Sequence, residues 1–353
     1  MSDSPRWEQS PFMKSARREP TPCTPVWLMR QAGRYLPEYR SLRRQVPFLQ
    51  LCKTPSLCAE VMVRTVERLG VDAAIVFSDL LVILEPMGFP VEYTAGEGPI
   101  FPHPICTAQD VDRLRELESV AELEFVLEAV RLTRSALPGH IPLIGFAGAP
   151  FTLASYLIEG QGRSNFHRTK WLMYSDPGAW QALMDRLARA VGRFLNAQIQ
   201  AGAQAVQLFD TWAGCLGPED YRRYVLPFSR AAIQAVDPAA PLIHFTTGNP
   251  ALLPLVREAG GQVIGVDWRV RLDQSWRQIG YDRAIQGNLD PAVLLTNPDL
   301  IRRRVQEILQ QAGNRPGHIF NLGHGVLPET PVENVLALVD AVHQLSARSS
   351  SPI

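Results

Sequence analysis

The stretch Ile141-Pro142-Leu143-Ile144-Gly145-Phe146 is apolar almost without interruption and runs straight into the small residues Ala147-Gly148-Ala149-Pro150. Apolarity that does not alternate points to a strand buried on both faces, as in a parallel sheet, and not to one with a wet side. Working outward, seven more runs share this form: 25–29 (PVWLM), 72–77 (DAAIVF), 204–209 (QAVQLF), 241–245 (PLIHF), 262–266 (QVIGV), 283–287 (RAIQG) and 318–322 (HIFNL). Each ends in a cluster of polar or small residues.

Helical stretches lie between the runs. Asp176-Pro177 opens a segment with Trp180, Leu183, Met184, Leu187, Val191, Phe194, Leu195 and Ile199 at spacings of three and four. Asp176 is placed to cap it, with Pro177 in the first turn, where a missing N–H costs nothing. Thr330 to Glu333 reads as a capping box ahead of Val335, Leu336, Val339, Val342 and Leu345. Asn297-Pro298 to Gly313 and Thr54-Pro55 to Gly70 are framed the same way. Eight strand–helix units, with no Gly-rich dinucleotide fingerprint after the first strand, favour a closed barrel over a doubly wound sheet. The fold class expected is α/β, a single (β/α)8 TIM barrel over residues 21–345. A loose N-terminal arm over 1–20, a frayed tail over 346–353 and a hairpin inserted at Val91 to Pro102 complete the reading.

Bulk properties exclude several classes of function. Net charge is zero, so no global field recruits nucleic acid or a membrane surface. No apolar run reaches the roughly 20 residues of a membrane helix. The five cysteines form no CxxC pair and no secretory h-region is present, which implies reduced thiols in the cytoplasm. Lysine occurs only at Lys14, Lys53 and Lys170, leaving few candidates for Schiff-base chemistry. The sequence contains no GxGxxG after a strand, no GxxxxGK[ST], no HExxH and no GxSxG. A zinc site of His-x-Cys type fails at His244-Phe245-Thr246. Neither a metal nor an organic cofactor is expected.

In such a barrel the active site forms at the C-terminal strand ends. Arg30 and Arg34, beside the small residues Ala32 and Gly33, follow the first run, and paired guanidiniums suit an anion with more than one acidic group. Arg40, Arg43 and Arg44 read instead as a solvated or dimer-facing helix. Asp79, after Phe77-Ser78, needs a partner: a structural arginine or the N–H groups of a ligand. Tyr156 has a core reading and a ligand reading, and Thr211 is ambiguous. His324 lies between Gly323 and Gly325, which would leave its imidazole accessible. Asp267 and Asp290 have structural readings, the latter as an N-cap before Pro291.

Together these stretches closely resemble the uroporphyrinogen decarboxylases of the haem and chlorophyll pathway. The resemblance is carried by Trp27 to Arg40, Ala74 to Asp79, Gly145 to Gly160, Phe209 to Gly214, Gln286 to Pro291 and Phe320 to Gly325, and runs from about residue 20 to 345. It implies a homodimeric (β/α)8 barrel that converts the four acetates of uroporphyrinogen III to methyl groups, giving coproporphyrinogen III without a cofactor. Carried over residue by residue, the substrate contacts would be Arg30, Gln31, Ala32, Gly33, Arg34, Asp79, Tyr156, Thr211 and His324. Asp79, Arg30 and Arg34 would be the catalytic ones. Two departures stand out: relatives often have Ser at the Thr211 position, and Val63-Arg64-Thr65 lacks an expected Gln-Pro pair. The alternatives are a zinc-dependent corrinoid or thiol methyltransferase on a related barrel, and a non-catalytic tetrapyrrole-binding protein.

Overall fold

The computed structural model describes residues 6–94, 98–162 and 165–348. In chain order its strands are β1 (Ala74–Ile75), β2 (Glu92–Thr94), β3 (Gly98–Ile100), β4 (Leu143–Gly148), β5 (Ala205–Asp210), β6 (Leu242–Thr246), β7 (Val263–Gly265), β8 (Ala284–Gln286) and β9 (His318–Ile319). Seven form one parallel sheet in the order β1-β4-β5-β6-β7-β8-β9, while β2 and β3 make a separate antiparallel pair. That pair is the expected hairpin insertion; its tip, 95–97, lies outside the described residues.

The eighth stave is the run 25–29. It forms a single parallel bridge, Val26 to Phe320, with the Phe320 N–H donating to the Pro25 carbonyl at 2.8 Å. On its other side the Asp72 N–H donates to the Val26 carbonyl at 2.8 Å, and the Val26 N–H to Asp72 Oδ2 at 2.7 Å. Residues 25–27 therefore lie between β9 and the start of β1 and close the barrel. The run falls short of a strand because side chains take its ladder bonds. Leu28 N–H donates to Gln31 Oε1 at 3.2 Å and Met29 N–H to Asn321 Oδ1 at 3.1 Å. Proline 25 has no N–H to give. On the last helix, Val332–Ser346, His343 Nε2 meets Asp72 Oδ2 at 2.8 Å and ties that helix to the closure.

The helix starts follow local chemistry. Asp176 accepts the Ala179 N–H at the head of Pro177–Gln200, and Asn297 accepts that of Leu300 at the head of Pro298–Ala312. The capping box expected at Thr330 does not form. Pro331 is the N-cap, and the Thr330 hydroxyl is buried without a partner among the described residues. Nor is the N-terminal segment loose from Arg6 on. Pro11–Ala16 is a helix capped by Ser10, and Phe12 and Met13 are buried, an anchoring that the mixed charges around them concealed. At the other end Ser346 still belongs to the last helix, and its hydroxyl accepts the Thr24 N–H; residues 349–353 lie outside the described residues.

The barrel interior is not purely apolar. Trp27 Nε1–H donates to Gln286 Oε1 at 2.9 Å, and Gln286 Nε2 donates to Gln207 Oε1 at 3.0 Å, all three residues being buried. Above this string Phe209 stands edge-on to Phe146 (5.7 Å) and to Phe245 (5.9 Å), an aromatic tier just below the end of β5. Side chains alternate across a strand. Gln207 and Phe209 face the interior, so alternation turns Asp210 toward the helices, where it meets Thr152.

Candidate active site

Arg30 sits in a left-handed conformation (φ 60°), uncommon for a residue with a side chain and a local strain of roughly 1–3 kcal/mol. The turn swings the chain away from the barrel wall and leaves Arg30 exposed. Its aliphatic stem crosses the backbone of Gly325. A Cβ at 325 would lie 2.3 Å from Arg30 Cδ, and one at 323 would lie 2.4 Å from the Trp268 amide nitrogen. Glycine on both sides of His324 thus allows close packing against the Arg30 side chain and the Trp268 backbone, with the imidazole left half-buried.

Arg30 is the shared neighbour of the site. Asp79, Tyr156 and His324 each feel its charge. Asp79 Oδ1 accepts the Leu81 N–H at 2.8 Å, and among the described residues no arginine or lysine pairs with its carboxylate. It keeps some contact with solvent yet is crowded by protein. Desolvation raises its pKa above the ordinary carboxylate value, while a nearby Tyr93 hydroxyl, the Leu81 N–H and Arg30 pull it back down. The Tyr156 phenol is pushed up to about 12, first by burial and then by the negative charge of Asp79. His324 is pushed down to about 4, by burial first and by Arg30 next, so the imidazole is neutral at physiological pH.

Tyr156 lies on the helix Pro150–Glu159, which begins directly after β4. Its ring stacks on Trp212 with centroids 3.8 Å apart. Trp212 in turn follows Thr211, whose carbonyl accepts the Thr247 hydroxyl at 2.8 Å. The structure therefore draws Thr211 toward the site through its neighbour. Arg34 is exposed on the flank, and its carbonyl accepts from Arg40 Nη1 at 2.9 Å.

Gln31 holds the turn from within. Its side chain is fully buried, accepts the Leu28 N–H and donates to the Ala73 carbonyl at 3.2 Å, while its own N–H donates to the Leu28 carbonyl. It braces the turn that presents Arg30, and its amide is already occupied. Ala32 and Gly33, both half-buried, form the remainder of that turn. Arg40 and Arg43 are engaged with backbone carbonyls of 34, 35 and 46. Asp290 accepts the Ala292 N–H as the expected N-cap.

Two further groups lie outside the candidate site residues named from the sequence. Tyr93, in the middle of β2, has its hydroxyl near enough to Asp79 to favour the ionised carboxylate; a three-residue strand beside a turn gives no signal of that proximity. Asp210, fully buried behind β5, accepts from the Thr152 hydroxyl at 3.1 Å, and burial holds its pKa up at about 7. Strand alternation was the signal that would have turned it away from the mouth. His244 also faces outward, fully buried near the carbonyls of Val256 and Gly260. Among the described residues no group of three or more His, Cys, Asp or Glu could hold a metal ion, and no helix is long and apolar enough to cross a membrane.

Polar groups gathered at the C-terminal ends of parallel barrel strands define the class: a barrel whose mouth is its site. In fold the chain is similar to a methyltransferase from Methanosarcina mazei, with a TM-score of 0.78 at 22% identity over 97% of this chain and 99% of that one. It is also similar to a B12-independent methionine synthase from Shewanella sp. W3-18-1, with a TM-score of 0.57 at 8% identity over 82% and 87%. At such identities the likeness is one of fold.

Sequence decides the family. The model of the family described as "Uroporphyrinogen decarboxylase (URO-D)" matches residues 8–345. The chain is 53% identical to the uroporphyrinogen decarboxylase of Sorangium cellulosum over 339 residues, 96% of this chain and 97% of that protein. It is 52% identical to that of Carboxydothermus hydrogenoformans, again over 96% and 97%. The chain belongs to the uroporphyrinogen decarboxylase family.

Proposed function

We propose that this chain removes carbon dioxide from the four acetate side chains of uroporphyrinogen III, giving coproporphyrinogen III in tetrapyrrole biosynthesis. We place it in the cytoplasm as a homodimer, folded as one catalytic domain over 21–345. The observation that carries the reading is Asp79: a crowded carboxylate at the barrel mouth without a cationic partner among the described residues, and with arginine close by.

A pyrrole-bound acetate has no carbonyl sink for the electrons that carbon dioxide leaves behind. Protonating the ring at its α-carbon creates one. The carboxylate C–C bond then breaks, its electron pair enters the ring, the exocyclic methylene takes a proton, and the ring proton departs. Each acetate thus consumes one proton and yields one methyl group and one carbon dioxide. A carboxylate fixed beside the pyrrole N–H groups accepts their hydrogen bonds and stabilises the cationic ring, and preorganised charge of this kind is often the largest catalytic contribution. Asp79 fills that role. Arg30 and Arg34 orient substrate carboxylates bidentately. Tyr156, held on Trp212, and neutral His324 position the ring and the remaining carboxylates, with Thr211 beside them. None of these roles calls for a metal.

The test is anaerobic incubation of the metal-stripped protein with uroporphyrinogen III, followed by oxidation and chromatography by carboxyl number. Stepwise loss from eight carboxyl groups to four is expected. An unchanged eight-carboxyl peak from folded protein would overturn the proposal.

A further inference from the structure

The hydroxyl of Tyr93 is buried and has no hydrogen-bond partner among the described residues, although a buried phenol ordinarily finds one. Its position is well determined by packing. The Tyr93 ring meets Phe48 edge-on at 4.9 Å, and Phe48 meets Phe77 edge-on at 6.3 Å, two residues before Asp79. Tyr39 supports Phe77 from another side at 5.8 Å. This chain of rings pins the β2–β3 hairpin over the end of β1 and holds the phenol near enough to Asp79 for each group to perturb the other, although the two form no hydrogen bond in the resting structure. That carboxyl has capacity to receive it. Oδ1 takes the Leu81 N–H, and Oδ2 has no hydrogen bond among the described residues.

We propose that Tyr93 is a positioning residue for the decarboxylation, donating its hydroxyl hydrogen to Asp79 so that the carboxylate is ionised and aimed when the pyrrole arrives. The inference rests on the function proposed above. It assigns work to a residue of the inserted hairpin, outside the strand-end motifs. The proton stays on the phenol throughout: burial and the adjacent carboxylate both raise the Tyr93 pKa, so the hydroxyl remains a donor.

Every group packed around Asp79 enters the balance. Burial and the charge of Glu85, itself paired with Lys53 at 2.6 Å, oppose ionisation. Tyr93, the Leu81 N–H and Arg30 favour it. Tyr156 and Cys52 also feel the carboxylate, but burial holds both as neutral acids. Removing the Tyr93 hydroxyl removes a stabiliser of the ionised form alone, so the pKa of Asp79 must rise.

The test is Tyr93→Phe, which keeps the ring and its packing. The acid limb of the kcat/KM profile for uroporphyrinogen is expected to move up by about one pH unit, a roughly tenfold change in the ionisation equilibrium. Because the carbonyl band of protonated Asp79, assigned by its loss in Asp79→Asn, is read by infrared titration without substrate, it separates the two proposals. It should move up likewise even if the function proposed above fails. A strengthened donor, 3,5-difluorotyrosine at position 93, should move both readouts the other way. An infrared titration unchanged in both variants would overturn the inference, as would a loss of activity with no shift in either profile, which marks a structural role only.

Discussion

Asp79 and Asp267 each end a barrel strand run, and both fold back on the chain in the same way. Asp79 Oδ1 accepts the N–H of Leu81, two residues on, at 2.8 Å; Asp267 Oδ1 accepts that of Arg269 at 3.0 Å. Beyond that turn the two regions diverge. The side chain of Arg269 returns to pair with Asp267, and the Gly248 N–H donates to its other oxygen at 2.8 Å. The corresponding side chain on the Asp79 side is Leu81, which is buried in the core. One region spends its carboxylate on holding loops together, and the other keeps a carboxylate unpaired at the price of a raised pKa. The lesson is that a strand-end acid is read by what lies two residues ahead of it, since that residue decides whether the charge is neutralised internally.

The contrast can be broken from several directions. The largest effect short of Asp79 itself is expected from Gly325→Ala. The new Cβ would fall within 2.6 Å of both Arg30 Cγ and Cδ, so Arg30 must leave its place beside Asp79. Displacing an orienting group by about 1 Å lowers kcat/KM on the order of 10–100-fold. Steady-state kinetics should show that loss with little change in thermal stability.

On the other side of the mouth, Asp267→Asn should damage stability and spare chemistry. It removes an acceptor from the Gly248 N–H and a charge from Arg269, whose own exposure keeps the ion pair modest. Urea unfolding should show a loss of roughly 2–3 kcal/mol, while the folded variant turns over near the wild-type rate. A dead but stable variant would mean that Asp267 serves the substrate after all.

A third aspartate sharpens the comparison through pH. Asp210 is buried with one oxygen bonded to Thr152 and the other without a partner among the described residues, and its pKa is raised to about 7. A folded pKa above the unfolded one contributes stability that is complete below about 4 and is lost as pH rises to about 7. Asp210→Asn mimics the neutral acid. Its stability relative to the parent should therefore improve steadily from pH 4 to 7 and then level off, as read by denaturant midpoints across that range. A flat difference would show that Asp210 is ionised in the folded chain.

Much of this architecture was legible before any coordinates. Eight continuous apolar runs gave the barrel, and the Asp176-Pro177 and Asn297-Pro298 pairs gave the helix starts, because strand burial and capping are local in sequence. The shortfalls have physical causes. Residues 25–29 form one bridge because side chains of Gln31 and Asn321 take the bonds a strand would need. Gln31 is a substrate contact only by family resemblance, and the side-chain bonds it makes to Ala73 and Leu28 come from partners that sequence spacing does not reveal. Tyr93 was missed for the same reason: its path to Asp79 runs through Phe48 and Phe77, from three separate segments. At the mouth, residue types could be read from spacing, but the partner of each carboxylate could not.

The most direct measurement is a single-turnover comparison of the parent chain with Asp79→Ala, anaerobically, on uroporphyrinogen III. If the unpaired carboxylate stabilises the ring cation, decarboxylation falls by at least about 10²–10³-fold, while the circular dichroism spectrum is unchanged and the melting temperature holds or rises. Full activity in a folded Asp79→Ala variant would contradict the role given to Asp79 and return the search to the arginines beside it.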